Sequence, residues 1–316
     1  MPQPRLKGSF IYLANAVNDL RGNWSVLALA LAPMVLVGAL CVLPDAINIQ
    51  HFLLQTFEPG VQTISYSRIA PADEAPDEPE SPIPPRVAPP PYPKWLTRTL
   101  HTVFFLPAAL VTLLTICALE RIQSGKHVAG AMSEAIAIYK RAIRLAPAFL
   151  WVSFLQFLVP AVAGYLFGIA DSVMPGEWDP ILYVILVSMI FLVTIAYLWL
   201  YFAQYALIFA GKHSFHALLF SRDLVRKRFF KVATRIVVFM AVWSGFNSWS
   251  VAAAFLATLI IGPVGVATGT LGGVIFMIAF AFIAITFATT AFFVAAGLRL
   301  YQDLLPAPVA ASSAAG

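Results

Sequence analysis

From Ile236 to Leu298 the chain carries no charged residue. Crossing ~30 Å of hydrocarbon takes ~20 apolar residues, so this run is long enough to cross twice. Gly262, Pro263, Gly265, Gly269, Gly272 and Gly273 punctuate its middle. The run therefore reads as a hairpin of two membrane-spanning helices. The rest of the chain agrees. Its 316 residues are 60% hydrophobic and 11% charged, whereas soluble domains carry about a quarter charged residues. Too little polar surface is available to cover a water-soluble core of this size, and lipid must be the solvent.

Hydropathy divides the chain into six spans, at residues 24–44, 99–119, 146–169, 180–210, 236–261 and 272–298. Pro33, Pro107 and Pro160 fall inside spans, where neighbouring helices can satisfy the carbonyls they free. The first apolar run begins at Trp24 and is read as a span, so no cleavable signal peptide is expected. Ahead of it, Phe10, Leu13, Ala14 and Val17 recur at helical spacing among Arg5, Lys7, Asp19 and Arg21, which predicts an interfacial helix over 5–22. Cys41 and Cys117 lie in different spans near opposite ends, and are expected to be packing residues rather than a disulfide.

Residues 45–98 form one hydrophilic insertion in a chain otherwise read as a single polytopic domain over 1–316. Ile49, Phe52, Leu53 and Phe57 predict a short outer helix, and Val61 to Ile69 can form a lone strand. Residues 70–94 are a Pro-rich, acidic spacer that favours extended polyproline II. Its Pro79-Glu80-Ser81-Pro82 matches a PxxP ligand formally, but a stiff spacer is the simpler reading.

Charge sets the orientation. Sixteen Lys/Arg fall on one side of the spans: Arg5, Lys7, Arg21, Arg121, Lys126, Lys140, Arg141, Arg144, seven in residues 211–235, and Arg299. Four fall on the other: Arg68, Arg86, Lys94 and Arg98. The positive-inside rule makes the richer side cytoplasmic and both termini with it. The chain is expected in a bacterial plasma (inner) membrane.

Two segments on that side look alike. Gly125-Lys126-His127 aligns without a gap on Gly211-Lys212-His213, and Lys140-Arg141 falls on Arg226-Lys227. The stripe Ala131, Met132, Ala135, Tyr139, Ile143, Ala146 has the same spacing as Ala217, Leu218, Ser221, Val225, Phe229, Val232. These are read as two cytoplasmic amphipathic helices in a tandem, parallel internal repeat. In the first, Glu134, Lys140, Arg141 and Arg144 make a solvated face. In the second, Phe215, Leu219, Phe220 and Phe230 interleave with Arg222, Arg226, Lys227 and Lys231. Those four cations are candidates for lipid-headgroup contact in an anionic leaflet. The competing reading is that they only set topology.

The run Ala217-Leu218-x-x-Ser221-x-x-Leu224-Val225-Arg226, followed by a span, resembles a pattern in poorly characterised bacterial six-span inner-membrane families. So does the closing Leu300-Tyr301-Gln302-Asp303-Leu304. Among these families is the membrane domain sometimes fused to glycerophosphodiester phosphodiesterases. The resemblance covers most of the membrane core but not the Pro-rich loop. It implies a six-helix membrane fold. It implies no phosphodiesterase activity, because that catalytic domain is not in this sequence.

Catalytic and metal chemistry find little support. His127, His213 and His216 could meet, but lack Cys or carboxylate partners at ligand spacing. Asp171, Glu177 and Asp179 read as an acidic turn. No ionisable group sits near the centre of a span, where proton-coupled carriers place one. Gln156, Gln204 and Asn247 are uncharged, and Glu120 lies at a span end. The sequence thus points to an all-α, non-enzymatic membrane protein with a lipid-contacting or partner-organising role. Transport of a small molecule or lipid is the alternative. Membrane lipids, anionic ones included, and an unspecified protein are the implied partners. Nucleic acid, metal and cofactors are not.

The topology is directly testable. A membrane-impermeant thiol reagent applied to intact cells should label Glu80→Cys and leave Lys227→Cys unlabelled. Equal labelling would reverse the orientation.

Overall fold

A computed structural model describes residues 6–57, 92–125, 130–173, 180–268 and 270–305. They form helices α1 (Ser9–Arg21), α2 (Trp24–Phe57), α3 (Lys94–Val103), α4 (Phe105–Gln123) and α5 (Ala131–Val173). These are followed by α6 (Pro180–Leu200), α7 (Ala203–Phe209), α8 (Ser214–Arg226), α9 (Phe229–Ala267) and α10 (Leu271–Leu304). No strand occurs among the described residues. Six segments are long and apolar enough to cross a membrane: Trp24–Phe52, Trp95–Gln123, Ala131–Val159, Phe191–Phe209, Phe229–Gly265 and Leu271–Leu304. The protein is an all-helical, multi-pass membrane protein.

The bundle is built around α4 and α10. A helix with one face to lipid alternates buried and exposed positions at its 3.6-residue period. In α4 every residue from Leu113 to Leu119 is buried, and in α10 every residue from Phe293 to Leu298. Both helices are therefore enclosed on all sides over these stretches. The two helices pack on each other and on α2, and α10 also carries α1 and α9. The α2–α10 crossing is close. A Cβ on Gly38 would lie 2.9 Å from Ile283 Cγ2 and 3.1 Å from the Phe287 ring. Tyr139 of α5 donates to the Ala30 carbonyl of α2 at 2.6 Å, tying the third span to the first. Cys41 and Cys117 are free and buried.

Several helices run further than hydropathy suggested. The short outer helix expected from Ile49, Phe52, Leu53 and Phe57 is the last part of α2, which continues through Pro33 and Pro44. At ~1.5 Å per residue its 34 residues reach about 50 Å, well past the hydrocarbon. Tyr92 N–H donates to Asn48 Oδ1 at 3.2 Å where the chain returns. The possible strand 61–69 and residues 70–91 of the 70–94 spacer lie outside the described residues, and the spacer's last residue, Lys94, begins α3. Pro107 is where the second span divides. Its missing N–H cannot serve the Val103 carbonyl, and α3 stops there. Pro263, by contrast, stays inside α9. The hairpin turns only after Ala267, where Gly265 lets Leu271 approach within 3.0 Å of where its Cβ would be.

At the end of the bundle that carries most of the cations, α1 is fastened to α10. Asp19 receives Arg299 Nε at 2.7 Å and a second bond from the same guanidinium. Tyr12 Oη donates to Asp303 at 2.8 Å, and burial, then this carboxylate, push the Tyr12 hydroxyl up to about 12. It remains a donor throughout the neutral range. Arg235 at the start of α9 donates to the carbonyls of Lys7 and Leu6. The buried face is Tyr12, Leu13, Ala16 and Leu20. Of the apolar residues at helical spacing, Leu13 lies on this buried face, while Phe10, Ala14 and Val17 lie on the exposed side of α1.

Gly38→Ala should lower the thermal midpoint of the purified protein, since overpacking a tight crossing costs about 1–3 kcal/mol. Gly245→Ala, which meets nothing within 4 Å, should leave it unchanged or slightly raised. A midpoint unchanged in both would show that α2 and α10 are not closely crossed.

Candidate functional site

The residues with the most unusual surroundings gather where α8 meets the broken fourth span. Nothing in Ile195 to Phe209 signals a break, because the stretch contains neither Gly nor Pro. Yet the helix stops at Leu200 and restarts at Ala203. In an unbroken helix the Trp199 and Leu200 carbonyls would accept from residues 203 and 204. Here side chains serve them. Ser221 Oγ of α8 donates to the Trp199 carbonyl and accepts from Phe202 N–H at 3.1 Å. Gln156 Nε2 of α5 donates to the Leu200 carbonyl. One hydroxyl and one carboxamide thus close the gap, drawing α5, α6 and α8 together.

Aromatic rings fill the space beneath. Tyr301 of α10 stacks on Tyr205 with centroids 5.8 Å apart and lies 6.0 Å from Phe202. Tyr205 Oη donates to the Val294 carbonyl at 3.0 Å. Gly297 makes this possible, as a Cβ there would fall 2.5 Å from that hydroxyl. Gln204 Nε2 donates to Ser153 Oγ at 2.9 Å. The site is dense and internally bonded.

α8 has two edges. Gly211, with φ +59°, turns the chain out of α7, and His213 is the extended N-cap residue. The inner edge, Ala217, Ser221 and Val225, is fully buried. The outer edge carries the candidate headgroup residues. Arg222 and Arg226 are exposed on α8, Lys227 is exposed in the turn after it, and Lys231 is exposed in the first turn of α9. Beside them Phe215 is 68% and Phe230 80% exposed. Lys212 Nζ lies 5.9 Å from the Phe220 ring centroid. Arg222 meets Asp223 at 3.3 Å in an exposed pair worth little. The side chains of Arg226, Lys227 and Lys231 make no ion pair among the described residues.

The second amphipathic segment breaks at Lys227–Arg228, whereas the first is the start of the unbroken α5. Its surroundings also correct the expected solvated face. Glu134 is buried and accepts from Arg121 Nε at 2.9 Å, and Arg141 pairs with Glu120. Lys140, Arg141 and Arg144 are all exposed, and of the three only Arg141 makes an ion pair among the described residues. Met132 and Ile143 of the anticipated stripe point outward, at 63% and 69% exposure, while Ile138 and Ala142 are buried.

The other candidates do not converge. Gln156 and Gln204 sit at the break, while Asn247 lies on α9 and donates to the Trp243 carbonyl. His213 and His216 are exposed, and His127, Glu177 and Asp179 lie outside the described residues. Among the described residues no group of His, Cys, Asp and Glu could hold a metal ion. Sequence reasoning placed Ser221 on the inner stripe but missed its bonds. The available signal was a hydroxyl in an otherwise apolar stripe. No family model, curated protein or solved structure matches this chain.

Ser221→Ala would leave the Trp199 carbonyl and Phe202 N–H without their partner, at about 1–3 kcal/mol for each buried group. The expected result is a clear fall in thermal midpoint, with Ser221→Thr milder because it keeps the hydroxyl. An unchanged midpoint in Ser221→Ala would show that other groups serve the break.

Proposed function

We propose that this protein is a non-enzymatic component of the bacterial inner membrane that binds anionic lipid headgroups in the cytoplasmic leaflet through α8 and the start of α9. The observation that carries this is the division of α8. Its inner edge is fully buried, while Phe215 and Phe230 stand exposed beside Arg222, Arg226, Lys227 and Lys231. Large exposed rings are costly in water and at home in the headgroup layer, and cations beside them attract an anionic leaflet at ~1 kcal/mol each. The 16-to-4 distribution of Lys/Arg supports a cytoplasmic location for this face and for both termini. The aligned GKH segments and matched spacings support a tandem repeat in which the second unit has become the lipid-binding one. The likeness to six-span inner-membrane families fits this reading.

The transport alternative draws on the broken fourth span, since transporters place sites at discontinuous helices. Against it, Ser221 and Gln156 already occupy the groups that the break frees.

Replacing Arg222, Arg226, Lys227 and Lys231 with Gln should cut the anionic lipid that co-purifies with the protein by several-fold. High salt should do the same to the native chain, because these contacts are at the surface. Gln at Lys140, Arg141 and Arg144 should have a smaller effect, since no comparable pair of exposed rings interleaves with that set. Equal losses from the two sets would leave the cations as topology signals only.

A further inference from the structure

One side chain joins the start of α9 to the segment ahead of α1. Arg235 donates through Nε to the Lys7 carbonyl at 2.8 Å and through Nη2 to the Leu6 carbonyl at 3.0 Å. Its Nη1 donates to the Lys231 carbonyl, one turn back in its own helix. A guanidinium is a planar, rigid fork, so carbonyls bonded to its three nitrogens are held in a fixed relation. Lys7 is fixed from its other side as well, because its N–H donates to Tyr12 Oη at 3.0 Å. Leu6 beside it packs against the core.

Lys7 precedes α1, whose N-cap is Gly8, and it is exposed. Water can serve exposed backbone groups, so these bonds do more than satisfy polar atoms. They set where the Lys7 side chain leaves the chain. The Lys7 and Lys231 ammonium groups make no ion pair among the described residues. Their backbones meet at Arg235, a third cation. The acid that the same bonds bring near is Asp303, which takes the Tyr12 hydroxyl at 2.8 Å. Each lysine also has an exposed ring close by in the chain. Phe230 precedes Lys231 and is 80% exposed, and Phe10, in the first turn of α1, is 74% exposed. The pattern on the outer edge of α8, a large exposed ring beside a cation, thus continues across Arg235 onto α1.

We infer that Lys7 is a fifth headgroup-binding cation, and that Arg235 is a positioning residue that sets it beside Lys231 to take the phosphate of an anionic phospholipid. This rests on the headgroup reading of α8 and the start of α9, and it adds a third chain segment to that site. Cations gathered at one place repel each other, and an anion between them relieves the repulsion. A phosphate presents several acceptor oxygens, so ammonium groups from two segments can engage it together. The rings on either side suit the headgroup layer rather than open water.

Native mass spectrometry of the purified protein, titrated with phosphatidylglycerol and separately with phosphatidylcholine, tests the inference. Lys7→Gln should weaken phosphatidylglycerol binding by about five-fold, the contribution of one cation at an anionic surface, and Lys7→Arg should keep it. Phosphatidylcholine binding should not change. Arg235→Lys keeps the charge but removes the fork. It should weaken phosphatidylglycerol binding as much as Lys7→Gln does. The two changes combined should be no weaker than either alone, because both act through Lys7. Lys7→Gln alone decides the matter if Arg235→Lys does not fold. Full binding by Lys7→Gln, with binding lost when Arg222, Arg226, Lys227 and Lys231 are replaced by Gln, would overturn this inference and leave the headgroup reading standing. Full binding in both variants would overturn the two together. An Arg235→Lys protein that melts earlier but binds normally would make Arg235 a structural strap and not a positioning residue. Inorganic phosphate should not compete with the lipid, and competition would make the occupant a soluble anion instead.

Discussion

Inside a membrane a backbone carbonyl that loses its helical partner has no water to accept from. The fold depends on how that constraint is met at Tyr201–Phe202. The fourth span breaks without a glycine or proline, and the cost of three displaced backbone groups is offset by Ser221 and Gln156. Because these side chains come from α8 and α5, the repair also locates those helices. α8 is held by its hydroxyl against the break, and this directs its opposite edge, with its rings and cations, away from the bundle.

The cation-rich end of the bundle is organised by charge in the same way. Asp19, Glu120, Glu134 and Asp303 each receive an arginine or tyrosine donor from another helix. These pairs join α1 to α10, α4 to α5, and the start of α5 back to α4. Among the described residues, Arg226, Lys227 and Lys231 are exposed cations without an ion pair on α8, the turn after it and the start of α9, and Asp223 is the one acid beside them. The proposed affinity for anionic lipid follows from that local excess of cations.

Towards the middle of the membrane the bundle is uneven. α4 and α10 are enclosed for several turns, whereas α9 touches mainly α10. In water an exposed α9 would be destabilising. In lipid its apolar side chains cost nothing, and only its polar atoms lack partners.

The six spans were legible because hydrophobic length is a local property: each run is long and apolar enough irrespective of its neighbours. The exposed cations of α8 were also legible, since no nearby acid other than Asp223 competes for them. The faces were not. The outward turn of Phe10 and Val17, the burial of Glu134, and the continuity of α5 with the third span all depend on partners distant in the chain. The break at Tyr201–Phe202 left no local mark, because its cause is a hydroxyl on α8 and a carboxamide on α5. Sequence determined which segments enter lipid, through transfer energies that add residue by residue. Tertiary structure decided which side of each segment faces protein, because hydrogen bonds and ion pairs require two groups that only folding brings together.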